Sequence, residues 1–532
     1  MSTIVGNENL RSLWEKLSVA RGENLFLAFE SCDGSKRSYS YAQFNKLIDR
    51  TANALLGFGV RKGSNVAVQL YNCPEYISVV FALAKIGAVS VPLNMQHTLA
   101  ECAYVLDACD IDTVIAEPDC QYYYLDGPAV DGGAVQCGQG SDEVRYSLPH
   151  VLICHSQGND LYPGAVDFDS LVAKSDEILT YRPDLDALDD AMIIFTSGTT
   201  SAPKGCELTH GNMIFGGIFG DWQCGLTSED RLLTTMPAFH SNFQTAALMP
   251  VLTAGASLIY IEKYSARRFW KQVRAYKATA IQLVAMMART MMLQPQDSAE
   301  RDHSVHSVQY YLAISDEEKA AFEERFALRL QNCYGLTESI CWVLTDLAYG
   351  PCNWPSIGRV GLGYEVKIAD ESGREVEPGT PGEIMIRGIK GISLMKGYYR
   401  KPEITDATIE PDGWMHTGDT GYMDESGWFY FVDRKSNMIK RAGENISSTE
   451  VEDVLMRFPG IKEAAVIGVP DPIRDQAVKA FIVFDAGVES TVDEIIAFCR
   501  RNLAEFKVPT QMEIVDELPH TSVGKIAKKL LS

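Results

Sequence analysis

Short apolar runs alternate with helix-period segments over most of the chain. Asn65 to Leu70 predicts a strand, Cys73-Pro74-Glu75 opens an apolar helix through Ile86, and Gly87 closes it before a second apolar run, Ala88 to Val91. Strands that are apolar on both faces are parallel strands covered by helices, so this β-α-β order predicts an α/β architecture. Ile193-Ile194-Phe195 and Leu328 to Cys333 predict further strands. From Pro118 to about Gly164, clusters of Gly, Asp, Ser and Tyr replace the periodicity and predict an irregular surface excursion. After Gly350 the segments Val366-Lys367-Ile368, Glu383-Ile384-Met385-Ile386 and Trp428 to Val432 alternate, which predicts a compact β subdomain. From about Asn437 onward, helical spacing in Val451 to Met456 and Ile495 to Leu503 mixes with strand spacing in Ala464 to Val469 and Ala480 to Phe484. That mixture predicts a small α+β terminal domain.

Composition sharpens the class. A chain of 532 residues is several times the ~150-residue domain prior, so a large core and more than one domain are expected. Lys+Arg 48 against Asp+Glu 70 leaves a net charge of −22, which repels phosphate backbones and anionic headgroups and argues against nucleic-acid binding. The apolar stretch Tyr76 to Asn94 is broken by Lys85, Gly87 and Pro92, and the opening residues MSTIVGNENL lack a basic region followed by an apolar run. Neither membrane insertion nor export is expected. The 13 cysteines include no C-x-x-C pair, so reduced thiols in a cytoplasmic protein are expected.

Four segments carry candidate chemistry. Ile193-Ile194-Phe195 runs into Thr196-Ser197-Gly198-Thr199-Thr200-Ser201-Ala202-Pro203-Lys204-Gly205, where glycine admits backbone N–H groups, hydroxyls add donors and Lys204 adds a point charge. Such a loop suits phosphate oxygens. It is not a Walker A loop, because Pro203 stands where the second glycine must be. Tyr334-Gly335-Leu336-Thr337-Glu338 sets an aromatic face, a hydroxyl and a carboxylate close together, a suitable edge for a nucleotide and Mg²⁺. In Trp414 to Asp419 the Asp419 carboxylate could take ribose hydroxyls, and Arg434, Lys435, Lys440 and Arg441 reverse the local charge before Gly443-Glu444-Asn445. Finally Leu518 to Ile526 carries Lys525 after Gly524. Taken singly, each segment also reads as an ordinary surface loop.

Together and in this order, the four resemble the adenylate-forming superfamily of acyl-CoA synthetases, peptide-synthetase adenylation domains and luciferases. The resemblance implies a large N-terminal domain of α/β subdomains plus a β subdomain over residues 1–435, and a small mobile C-terminal domain over 436–532. It implies ATP, Mg²⁺ and coenzyme A as cofactors and a small carboxylic acid as substrate, with monomer or homodimer left open. Thr196 to Lys204 would be the phosphate loop, Tyr334 would stack on adenine, Thr337 would touch phosphate and Glu338 would hold Mg²⁺. Asp419 and Arg434 would bind ribose, Lys525 would be the adenylation lysine, and Pro237-Ala238-Phe239-His240 would lie at the acyl pocket with His240 as gate.

The chain departs from the superfamily pattern at Ser201 in the phosphate loop, at Ser436 in the hinge, and at Leu312-Ala313-Ile314-Ser315 in the adenine loop. Glu262 to Arg267, Trp354 to Val360 and Asn437 to Arg441 resemble the subfamily of crotonobetaine/carnitine–CoA ligases. A trimethylammonium acid would need aromatic faces, for which Trp222, Phe239, Phe243, Tyr310 and Trp342 are candidates, each with plain core packing as the alternative. The alternatives for function are a short- or medium-chain fatty acid:CoA ligase, an adenylating enzyme loading a carrier protein in trans, and a nucleotide-binding protein without turnover.

Overall fold

The computed structural model describes residues 4–125, 147–156, 161–196, 203–311, 314, 316–434, 438–485, 487–488, 490–519, 526 and 528–531. Two large, mostly parallel sheets form the bulk of the molecule. One runs in the order Gly397–Tyr398, Lys204–Thr209, Asp190–Thr196, Val89–Pro92, Asn65–Gln69, Thr113–Ala116, His150–Ile153 and Ala165–Asp167. The other centres on Gln331–Tyr334, Ser307–Tyr311, Ala280–Val284, Arg231–Thr234, Ser257–Ile261 and Leu25–Glu30.

The helix Pro74–Ile86 explains how the sheets join. Every residue in it except Glu75 is buried, and a helix that is apolar all round must be covered on every side. Its Phe81 meets Trp14, which in turn packs on Phe26, Tyr41 and Phe44 within a single core cluster. Gly87 ends the helix at φ 76°, a left-handed cap that glycine adopts without strain. Pro74 at the helix start and Val89–Pro92 beside Asn65–Gln69 in parallel register complete the expected β-α-β unit.

Two expectations need correction. The stretch after Pro118 is not all excursion, because His150–Ile153 pairs in parallel with Thr113–Ala116 and is buried beyond its first residue. Three apolar residues after a histidine, inside a polar stretch, are too short a run to stand out. The strand expected over Leu328 to Cys333 spans Gln331–Tyr334. There Gln331 Oε1 accepts from Ser307 Oγ and the Val308 N–H, and Asn332 donates to the Ser356 carbonyl, so two buried polar side chains tie the strand to its neighbours in the core.

Beyond these sheets, Glu365–Ala369, Gly382–Arg387, Trp414–Met423 and Phe429–Arg434 form an antiparallel four-stranded sheet, the β subdomain. Its last strand ends at Arg434, and Met438–Arg441 begins a fourth sheet with Glu444–Ser447, Asp475–Phe484, Ile461–Asp471 and Gln511–Ile514. The helices Ser448–Leu455 and Val492–Asn502 pack on that sheet around Val451, Leu455, Val466, Ile482 and Ile495. Ser436 lies outside the described residues. Among the described residues no helix is long and apolar enough to cross a membrane, and the cysteines are free thiols.

Candidate active site

The strands Asp190–Thr196 and Lys204–Thr209 pair antiparallel, with Thr196 opposite Lys204. Ser197, Gly198, Thr199, Thr200 and Ser201 lie outside the described residues. The flanking residues do not. Lys204 is not a free cation on a loop: it begins a strand, is 8% exposed, and holds Nζ 5.0 Å from the centre of the Tyr398 ring. Thr196 Oγ1 stands 3.5 Å from Glu338 Oε1, and Tyr398 Oη donates to that same carboxylate oxygen at 2.8 Å. Burial, then the neighbouring Glu338 charge, pushes the Tyr398 phenol far above its ordinary pKa, so it is a hydrogen-bond donor at any physiological pH.

Glu338 arrives here through a tight turn. A Cβ on Gly335 would sit 2.2 Å from the Cys341 carbonyl oxygen and 3.2 Å from Trp342 Cα, so only glycine lets the segment fold back on itself. The turn continues as a 3₁₀ helix, Thr337–Ser339. Thr337 Oγ1 lies 3.1 Å from Ser241 Oγ, which ties the turn to the segment expected at the acyl pocket. There His240 caps the short helix Ser241–Phe243 by accepting from the Asn242 N–H at its Nδ1. A π-helical turn, Gln244–Leu248, follows directly.

Tyr334 Oη donates to Asp419 Oδ2 at 2.7 Å, and its ring lies 6.3 Å from that of Phe431. Asp419 is 3% exposed, and its N–H donates to Thr417 Oγ1, whose hydroxyl hydrogen goes to the Ile384 carbonyl. Arg434 stands directly across from Asp419 in the backbone register. Thus the candidates around residues 196, 204, 240, 334–338, 419 and 434 are brought to one region from elements far apart in the chain. The left-handed Gly443 reaches the rim of the same region, because a Cβ there would lie 3.7 Å from Val284 Cγ1, at the carboxyl end of a parallel strand. Glu444 and Asn445 continue from it as a strand paired with Lys440 and Arg441.

Other candidates are placed differently. Trp222 is 39% exposed and turned edge-on to Phe219, with no described contact to His240 or Glu338. Phe243 stacks on Tyr260 at 4.5 Å and is fully buried, as is Tyr310, so both pack in the core. Phe239 and Trp342 are half-buried and remain beside the site. Lys525 lies outside the described residues. Sequence reasoning missed Tyr398 and Ser241, because no spacing rule links them to Glu338 and Thr337 across 60 and 96 residues.

Thr196 and Glu338 bring a hydroxyl and a carboxylate oxygen to one point, with Tyr398 fixing the carboxylate, and that carboxylate suits Mg²⁺. A second group, Cys73, Glu75 and His155, has ligand atoms within 4.8 Å of one another. Arg37 already pairs with Glu75, and hydrogen bonds to Glu117 and then Glu75 raise the His155 pKa to about 10. Glu75 and His155 are therefore already paired with organic groups rather than held open for a metal.

The family description "AMP-binding enzyme" matches residues 19–399, and its C-terminal domain matches 450–525. This chain belongs to the AMP-binding enzyme family. A protein of Salmonella choleraesuis named crotonobetaine/carnitine–CoA ligase is 44% identical over 534 residues, covering 99% of both chains. Among solved structures, o-succinylbenzoate CoA synthetase from Bacillus subtilis matches with TM-score 0.82 at 23% identity over 99% of this chain and 98% of its own. ATP-bound MatB from Rhodopseudomonas palustris matches with TM-score 0.67 at 24% identity over 98% of both chains. The adenylate-forming fold and the AMP-forming acid–thiol ligase class expected from the motifs are both borne out.

Proposed function

We propose that this family member joins a trimethylammonium acid, such as crotonobetaine, carnitine or γ-butyrobetaine, to coenzyme A at the expense of ATP. The observation that carries the proposal is the meeting of Thr196, Lys204, Glu338 and Tyr398 beside the Tyr334–Asp419 pair. A carboxylate is anionic and has no good leaving group, so a thiol does not attack it. In the first step the acid's carboxylate oxygen attacks the α-phosphorus of ATP, the bond to the β-phosphate oxygen breaks, and pyrophosphate departs. In the second the thiol sulfur attacks the acyl carbon, AMP leaves with the bonding pair, and the thiol proton passes to solvent. Charge builds on phosphoryl oxygens in the first step, which Thr196, the residues from Ser197 through Thr200, Lys204, Thr337 and Lys525 would stabilise. Mg²⁺ held by Glu338 would add to that charge neutralisation. Tyr334 and Gly335 would flank adenine, while Asp419 and Arg434 would hold ribose.

In this reading residues 1–435 bind acid and ATP, and residues 436–532 rotate near Ser436, exchanging Lys525 for the Gly443-Glu444-Asn445 turn before thiol attack. Lys525→Ala would then collapse pyrophosphate exchange and spare thioester formation from supplied acyl-adenylate. The 44% identity to named crotonobetaine/carnitine–CoA ligases supports the betaine substrate. So do the half-buried Phe239, next to His240, and Trp342, beside Gly335, as faces for a cation that cannot donate a hydrogen bond. AMP release with CoA, screened over betaine acids and their uncharged isosteres, tests this. Preference for the betaine is expected, and preference for the neutral acid overturns the substrate assignment.

A further inference from the structure

Two cations bridge the small domain to the large one, the buried Lys507 and the half-buried Arg289, whose own-side partner Glu318 is 37% exposed, and each holds one carboxylate on its own side and one across. Lys507, on the small domain, donates to Glu450 at 2.7 Å on its own side and to Glu101 at 2.6 Å on the large-domain helix Leu99–Ala108. Arg289, on the large-domain helix Ala285–Met292, donates from Nε to Glu318 at 2.7 Å on its own side and from Nη1 to Asp475 at 2.7 Å across the interface. Lys507 is 7% exposed in its side chain and its partners 12% and 13%. Burial lowers the Lys507 pKa, and the two carboxylates more than reverse that, so the group stays charged.

We propose that Lys507 and Arg289 are the two halves of a releasable clasp that holds the small domain with Gly443 over the end of the Ala280–Val284 strand, and so position it for the thioester step. The inference rests on the ligase reading above. Its physical basis is the home carboxylate. Removing one partner of a buried pair usually strands an uncompensated charge at high cost. Here, if the domain swings away, Lys507 keeps Glu450 and Arg289 keeps Glu318, and only the crossing carboxylates, Glu101 and Asp475, are given up. A bridge built only for rigidity would need no such reserve. The clasps also flank the functional contact: Arg289 stands five residues after Val284, the residue Gly443 faces.

Glu101→Gln and Asp475→Asn test the clasp with little disturbance to the fold. Glu101 Oε2 accepts from the Thr98 N–H in a capping box, a role Gln can keep, and Asp475 sits at φ 69°, where Asn is at ease. Three readouts are needed: single-turnover thioester formation from preformed acyl-adenylate, ATP–pyrophosphate exchange, and the distance between noncanonical-amino-acid labels on the exposed residues Asp107 and Arg457. Each variant is expected to slow thioester formation about three- to tenfold, leave pyrophosphate exchange unchanged or faster, and widen the distance distribution. An equal fall in both half-reactions, or an unchanged distance distribution, overturns the clasp. If the wild-type enzyme supports no pyrophosphate exchange with any acid, the ligase reading fails, while the distance measurement still decides the clasp.

Discussion

Tyr398 Oη donates a 2.8 Å hydrogen bond to Glu338 Oε1, and Lys204 Nζ sits 5.0 Å from the centre of the same ring. One aromatic side chain, on an edge strand paired with Lys204–Thr209, thus contacts both the carboxylate and the lysine. Glu338→Gln should lower pyrophosphate exchange at least 100-fold, about 3 kcal/mol, the scale of a lost electrostatic group at a transition state. Tyr398→Phe keeps the ring under Lys204 and loses only the hydrogen bond, so a loss of about tenfold is expected. Steady-state and exchange kinetics on the two variants check the ranking, and a larger loss in Tyr398→Phe would contradict it.

Gly335→Ala puts a methyl 2.2 Å from the Cys341 carbonyl, a contact that backbone on both sides cannot relieve by a rotamer change. The variant should lose most adenylation activity and melt lower, by the ~1–3 kcal/mol typical of overpacking. Calorimetry with an exchange assay reads both.

Asp419→Asn should raise the KM for ATP more than it lowers kcat, because ribose contacts persist from ground state to transition state. Tyr334→Phe, which frees the Asp419 carboxylate from its phenol, should change KM by only a few-fold. A kcat effect that outweighs the KM effect in Asp419→Asn would move Asp419 from binding to chemistry.

Asp221 supplies a pH prediction away from the site. Burial raises its pKa from 3.8 to about 8, and its Oδ1 has no hydrogen-bond partner. A folded-state pKa above the unfolded value means that the group's contribution is fully present below about pH 4 and is lost as pH rises towards 8. Asp221→Asn should therefore be near neutral at pH 4 and stabilising by about 1–3 kcal/mol at pH 8, read by denaturant unfolding at both pH values. A gain confined to low pH would contradict the sign.

The sequence was most informative where chemistry or periodicity is local. The Pro74–Ile86 helix and its Gly87 cap follow from neighbouring residues alone. Tyr398, Ser241 and the Lys507–Glu101 pair were hidden because their partners lie 60, 96 and 406 residues away, and nothing in the intervening chain encodes the meeting. Trp222 misled for the opposite reason: its residue type suits a cation pocket, but helix phase turns it to the surface.

The central claim is that the acid's own oxygen becomes bonded to the α-phosphorus of ATP. A carboxylic acid labelled with ¹⁸O in both carboxyl oxygens, turned over with unlabelled ATP and CoA, tests it by mass spectrometry of the products. The account predicts one ¹⁸O in AMP and none in pyrophosphate. Label in inorganic phosphate with ADP formed, or unlabelled AMP, would contradict it.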